Sequence, residues 1–177
     1  MLADDLHSAA LGHYRKGNFA EAAKAFERAA ESYAREGDRG MAAEMQSNFG
    51  VALRAAKDFT RALSALEAAV AELRALNDTR RLAVALGNLG SVLLETNDLA
   101  RAADALNESL SLLDPAADKE ARSEVLRVLG EARLKQGRYM DGLVNYEAGL
   151  RDVEKPSAQQ KWLLGLLQKP LKMLGRK

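Results

Sequence analysis

Apolar and small residues recur along this chain at helical spacing, and the whole pattern then begins again forty positions later. After Asp38, the residues Met45, Phe49, Ala52, Leu53 and Ala56 fall on one helical face; after Asp58, the set Ala62, Leu63, Leu66, Ala69, Val70 and Leu73 forms a second stripe. Asp38 and Asp58 stand where N-caps belong, and Asn77 tolerates the left-handed turn that would end the second helix. The same two stripes return after Asp78, with Leu86, Leu89 and Leu93, and after Asp98, with Ala102, Leu106, Leu110 and Leu113, closing at Asp114-Pro115. Another pair starts at Asp118. The first pair opens at the chain start, runs through Leu6, Ala10 and Tyr14, and continues in a helix from Ala20 to about Glu36, stopped by Gly37.

The register is strict. Gly50, Gly90 and Gly130 lie forty residues apart with Ala10 one period earlier, and Phe19, Phe59, Leu99 and Tyr139 keep the same spacing. A fixed period in this range means stacked supersecondary units, none of which can bury its apolar face alone. β-Branched and aromatic runs bounded by turn signals are missing, so an all-α chain is predicted. The expected division is residues 1–154 in four units, about 1–37, 38–77, 78–117 and 118–154, followed by 155–177. In that last segment Pro156 precedes a capping box, Ser157 to Gln160, predicting a helix from about 157 to Lys169 that Pro170 ends or kinks. Its Trp162, Leu163, Leu166 and Leu167 would cover the apolar side of the fourth unit. Gly142 and Gly149 share a face of that unit and each costs about 1 kcal/mol relative to alanine in a helix, which suggests a close approach, with the C-terminal helix as the nearest candidate.

These helix pairs resemble the tetratricopeptide repeat. The resemblance rests on the small residue of each first helix (Ala10, Gly50, Gly90, Gly130), the apolar residue before it (Ala9, Phe49, Leu89, Leu129), and the small–large–small sets of the second helices: Ala22-Phe26-Ala29, Ala62-Leu66-Ala69, Ala102-Leu106-Ser109 and Gly142-Tyr146-Gly149. It covers roughly residues 2 to 153 and implies a right-handed α-solenoid of four such pairs plus a C-terminal capping helix. The period is six residues longer than the family's usual one of about 34, and in this it is similar to the arrays of kinesin light chains and of the Partner-of-Inscuteable polarity scaffolds. Those arrays hold extended peptides on a concave face lined by the first helices, so the resemblance implies a protein–protein adaptor. The face so implied includes His7, Leu11, Tyr14 and Arg15; Asn48, Val51 and Arg54; Asn88, Ser91 and Leu94; Arg127 and Glu131. Asn48 and Asn88 are the sharpest candidates, because an amide offers both a donor and an acceptor to a peptide unit. Ser8 and Val128 stand in the matching places at either end. A carboxylate clamp of the chaperone-binding kind is not expected, since its places hold His7, Leu11, Val84 and Asn88.

Composition narrows the chemistry. The chain has no cysteine, so disulfides, thiolate metal sites and cysteine nucleophiles are excluded. His7 and His13 have no second histidine at metal spacing, and His13 sits at the position of Leu53 and Leu93, which reads as packing. With no phosphate-cradling glycine loop and no nucleophile elbow, neither an enzyme nor a cofactor or metal site is expected. The start of the chain lacks the features of a secretory signal and no stretch approaches a transmembrane span, so a cytoplasmic location is expected.

The net charge of +1 conceals a division. All 25 acidic residues lie at or before Glu154, while Lys155, Lys161, Lys169, Lys172, Arg176 and Lys177 follow it. The body therefore carries −5 and the tail +6. Nucleic acid is not indicated, because no basic stripe with stacking aromatics crosses the acidic body. Two readings of the tail stand: a solenoid cap alone, or a cap that also meets an anionic membrane or acidic partner through Lys161, Trp162, Lys169, Leu171, Lys172, Leu174, Arg176 and Lys177. Self-assembly of the repeats is the competing class of function.

Overall fold

The same three-residue turn separates most successive helices of the chain. The computed structural model describes residues 2–173, with side chains described to residue 167. Among them α1 (Ala3–Arg15), α2 (Phe19–Arg35), α3 (Arg39–Ala55), α4 (Phe59–Ala75), α5 (Thr79–Glu95), α6 (Leu99–Leu112), α7 (Lys119–Lys135), α8 (Tyr139–Asp152) and α9 (Ala158–Met173) follow in order, with no strand. Gly17, Gly37, Lys57, Asn77, Asn97 and Gly137 all take positive φ. The residue after each donates its N–H to a carbonyl five positions back: Asn18 to His13, Asp38 to Tyr33, Asp58 to Leu53, Asp78 to Leu73, Asp98 to Leu93 and Arg138 to Arg133. This is the closure by which a left-handed residue satisfies the last carbonyls of a helix. The local repeat is therefore twenty residues, half the packing period.

Caps fix the other end of the helices. Asp38, Asp58, Asp78 and Asp98 accept from the backbone N–H of Met41, Arg61, Arg81 and Arg101. Asp118 occupies the N-cap position of α7 but accepts instead from the N–H of Asp114, while the Asp114 carboxylate receives those of Ala116 and Ala117. Pro115 is in this connection, where α6 stops after 14 residues rather than 17 and the shared turn is lost.

Within pairs, contact depends on a small residue under a large one. A Cβ added at Gly90 would stand 2.5 Å from Leu106 Cγ, and at Gly50 2.6 Å from Leu66 Cγ; in the fourth pair Gly130 lies under Tyr146, 2.8 Å from Cδ2. Gly142 and Gly149 do mark close approach, but from α7 rather than from α9. A Cβ on Gly142 would be 2.6 Å from Leu134 Cδ2 and 3.0 Å from the Gly130 carbonyl, and one on Gly149 would be 3.0 Å from the Ser123 carbonyl. The backbones of the fourth pair are in near contact, so the expected role for the C-terminal helix is corrected.

Successive helices pack antiparallel into an α-solenoid. The odd helices also touch their odd neighbours, α3 on α5 and α5 on α7. The even helices α4 and α6 reach each other through long pairs, Arg101 to Glu67 and Arg74 to Glu108. Closer spacing on the odd side curves the array toward α3, α5 and α7, making theirs the inner face.

At the N-terminal end the Tyr33 hydroxyl of α2 donates to Asp4 Oδ1 of α1. That bond, then burial, then the nearby Asp4 charge push the Tyr33 phenol up to about 12. Below about pH 10, where an unfolded tyrosine keeps its proton, the contribution is fully present. Between pH 10 and 12 the unfolded chain ionises while the folded one does not, so stability falls. Tyr33→Phe should therefore melt below the parent at pH 8 by a margin worth about 1.5–3 kcal/mol, and that margin should close by pH 12. A margin independent of pH would remove the link.

The helix α9 begins with the expected reciprocal cap, Ser157 N–H to Gln160 Oε1 at 2.8 Å and Gln160 N–H to Ser157 Oγ at 3.2 Å. It does not end before Pro170, however, and continues to Met173. It packs on α8 by a narrower face than expected. Leu167 is buried and Leu163 and Leu164 are half-buried, whereas Trp162 and Leu166 point to solvent, 68% and 51% exposed.

Candidate functional site

The inner face is most developed where α3 and α5 run side by side. At their start Arg81 joins three groups: its Nε donates to Glu44 Oε2 at 2.6 Å, its Nη1 to Asp78 Oδ2 at 2.6 Å, and its Nη2 lies 3.3 Å from Met41 Sδ. Two turns on, Asn88 Nδ2 donates to Ser47 Oγ at 3.2 Å. Two further turns bring the Glu95 carboxylate within 3.7 Å of Arg54 Nε and 3.5 Å of Lys57 Nζ. Residues 81, 88 and 95 are seven apart and so share one helical stripe, which polar contacts stitch to α3. The Glu44 and Asp78 hydrogen bonds hold the Arg81 guanidinium further into its charged range, and Arg81 in turn keeps the Asp78 carboxyl below the usual carboxylate range.

Beside Arg81 a cleft of about 420 Å³ opens, lined by Glu44, Ser47, Asn48, Leu73, Asp78, Arg80, Arg81 and Val84. Three of these have capacity to spare. Asn48 is half-buried, and its amide makes no hydrogen bond among the described residues. Arg80 is exposed and has no ion pair among them. Val84 is 50% exposed, an apolar side chain set among polar ones. Together they offer an amide donor and acceptor, a cation and an apolar step within one concavity.

The other anticipated groove residues divide. Arg54 lies on the seam and Val51 is half-buried beside it on α3. Ser91 and Leu94 do not face a groove: they are 8% and 5% exposed, and Ser91 Oγ donates to the Gly87 carbonyl. Val128, the counterpart of the asparagines in α7, is buried as well. The close approach of neighbouring odd helices covers these positions, so they are corrected to core. Asn88 remains at the surface of the seam with one donor already committed to Ser47.

On α1, His7 lies 6.3 Å from the Phe26 ring, Leu11 and Tyr14 pack against the core with Tyr14 edge-on to Phe19 at 5.3 Å, and Arg15 is exposed. On α7, Arg127 and Glu131 belong to an exposed ladder of charges, Arg127 to Glu124 at 2.6 Å and Lys135 to Glu131 at 3.3 Å. Neither group joins the α3/α5 cleft. Of the tail candidates, Lys161 and Trp162 are exposed on α9. The side chains of Lys169, Leu171 and Lys172, and the residues Leu174, Arg176 and Lys177 altogether, lie outside the described residues.

Sequence reasoning missed Arg80 and Arg81. A signal was present: an arginine stands three residues after the N-cap aspartate in Asp58-Phe-Thr-Arg61, Asp78-Thr-Arg-Arg81 and Asp98-Leu-Ala-Arg101, and each returns to its own cap, Arg61 and Arg101 at 3.5 Å and Arg81 at 2.6 Å. Among the described residues no three potential metal ligands cluster, and no helix is long and apolar enough to cross a membrane.

Residues 41–114, which span this cleft, match the tetratricopeptide repeat family. No curated protein sequence matches the chain. Among solved structures, the crystal structure of BtubC (BKLC) from P. vanneervenii is similar in fold, with a TM-score of 0.73 at 19% identity, over 88% of this chain and 68% of that one.

Proposed function

We propose, from the premise that residues 41–114 form tetratricopeptide repeats, that the chain is an adaptor whose α3/α5 cleft takes an extended segment of a partner protein. Repeats of this family generally mediate contacts between proteins, and an amide, a cation and an apolar side chain along one inner face suit a peptide backbone with side chains on either side. The observation that carries the reading is Asn48: an amide with no hydrogen bond among the described residues, in the cleft lined by Arg80 and Val84. The family is typically non-enzymatic, and the chemistry of the cleft is that of recognition. Asn48 and Asn88 are unequal, because the Asn88 donor already serves Ser47.

The test begins with affinity capture of a partner and its minimal peptide, followed by calorimetry. Two hydrogen bonds at about 0.5–1.5 kcal/mol each predict that Asn48→Ala weakens binding on the order of 30-fold with the fold intact. Asn88→Ala should cost several-fold less than that. Equal affinities for parent and Asn48→Ala would dismiss the cleft, and a larger effect at Asn88 would move the ladder along the seam.

A further inference from the structure

We infer that α9 is an interfacial helix that lays its outer face on an anionic phospholipid surface, independently of what the α3/α5 cleft holds. On that face Trp162 and Leu166 are one turn apart and turned to solvent, beside the exposed Lys161. Leu163, Leu164 and Leu167 form the covered side of α9, which packs on α8, so capping the array does not account for the outer pair. The chemistry is that of the headgroup boundary. An indole has an apolar body and a polar N–H, which suits the level between acyl chains and water. An aliphatic neighbour adds buried area, and lysines beside them meet negative headgroups.

Charge distribution favours lipid over an acidic protein. Residues 155–177 contain six cations and no acid, spread from Lys155 to Lys177 rather than gathered at one point, as suits an extended and evenly negative surface. The acidic groups of the neighbouring α8 do not oppose this: Asp141 lies 2.6 Å from Arg138, Glu147 is buried and paired with Arg151 at 2.6 Å, and Asp152 lies 3.3 Å from Arg122. Among the described residues α9 packs on α8, so its outer face is turned away from the body, which carries −5.

Trp162 is the chain's only tryptophan, so its emission reports this face and no other. With full-length protein and vesicles of phosphatidylcholine and phosphatidylserine at low salt, the emission should shift to the blue and become protected from an aqueous quencher. Raising the salt to about 0.5 M should reverse both changes, since exposed charges are screened within about 10 Å already at 0.1 M. Lys161→Gln should weaken partitioning roughly fivefold, the equivalent of about 1 kcal/mol per cation at such a surface. Leu166→Glu, which alters an exposed position and leaves the fold intact, should abolish it. The inference fails if the emission does not move with anionic vesicles, or if it moves equally with phosphatidylcholine alone. It also fails if the emission shifts with protein concentration in the absence of lipid and sedimentation shows an oligomer that Leu166→Glu dissolves, since the face would then belong to a second copy of the chain.

Discussion

Truncating Leu106 to alanine is expected to destabilise the protein by about 2–5 kcal/mol. Leu106 is fully buried, and its side chain lies directly over Gly90 in the centre of the array. Removing it leaves a cavity bounded by helix backbone, which does not collapse easily. Gly90→Ala alone should cost about 1–3 kcal/mol, because the new methyl meets three Leu106 carbons at 2.5 to 3.2 Å. That loss outweighs the gain of about 1 kcal/mol in helix propensity. In the Leu106→Ala background the obstacle is gone, so the same alanine should be neutral or stabilising. Denaturant melts of the four proteins close the cycle. If the two costs add within about 0.5 kcal/mol, the pairing of small under large is not what holds α5 to α6.

A bulky residue at Gly142 is expected to open the C-terminal end rather than lower the stability of the whole. In Gly142→Val the first added carbon already lies 2.6 Å from Leu134 Cδ2 and 3.0 Å from the Gly130 carbonyl. The second contact is with backbone, which cannot move aside as a side chain can, and the cost should be on the order of 3 kcal/mol. Arrays of this kind are held by neighbour contacts alone. Hydrogen exchange should therefore rise across α7, α8 and α9 while α2 to α5 keep their protection. Uniform loss of protection would mean that the array unfolds as a single unit.

The helix order was legible because signals reinforce one another: an apolar stripe in each helix, an aspartate at the head of α3 to α7, and a small residue every forty positions in the first helix of each pair. The twenty-residue repeat of the turns was not, because one backbone conformation is met by different residues. Glycine at 17, 37 and 137, asparagine at 77 and 97 and lysine at 57 all take positive φ, and no residue type announces the period. The course of α9 through Pro170 was not legible either. Proline has no N–H to give the carbonyl four residues back and its ring crowds that carbonyl, so of ending or kinking the helix the first was a fair expectation, yet α9 runs three residues past Pro170 to Met173.

The candidate site was legible in outline and misread in detail. A helical wheel assigns each residue an angle but cannot say how near the next odd helix comes. That distance turns Ser91, Leu94 and Val128 into core while leaving Asn48 and Val84 at the surface. Arg80 and Arg81 are adjacent and chemically identical, yet one is exposed and the other bridges Glu44 and Asp78. Only the neighbouring helix distinguishes them. The same holds for α9, where the wheel gave one apolar face and the structure divides it between α8 and solvent.

The turns also give the array a parity. Each turn closes on its own helix and is blind to which layer that helix occupies, so cutting out one helix with its turn, for instance 38–57, would leave every other turn and most caps intact. Each later helix would nevertheless change sides: Gly90 would keep Leu106 and Gly130 would keep Tyr146, but the even helices would come inward and α5 and α7 would be carried outward, against neighbours they were not shaped to meet. Forty residues can be removed or duplicated without that reversal. Lengthening or shortening by one helix is thus a local success and a global error, which makes the pair, rather than the helix, the smallest increment by which such a chain can change its length and keep its inner face.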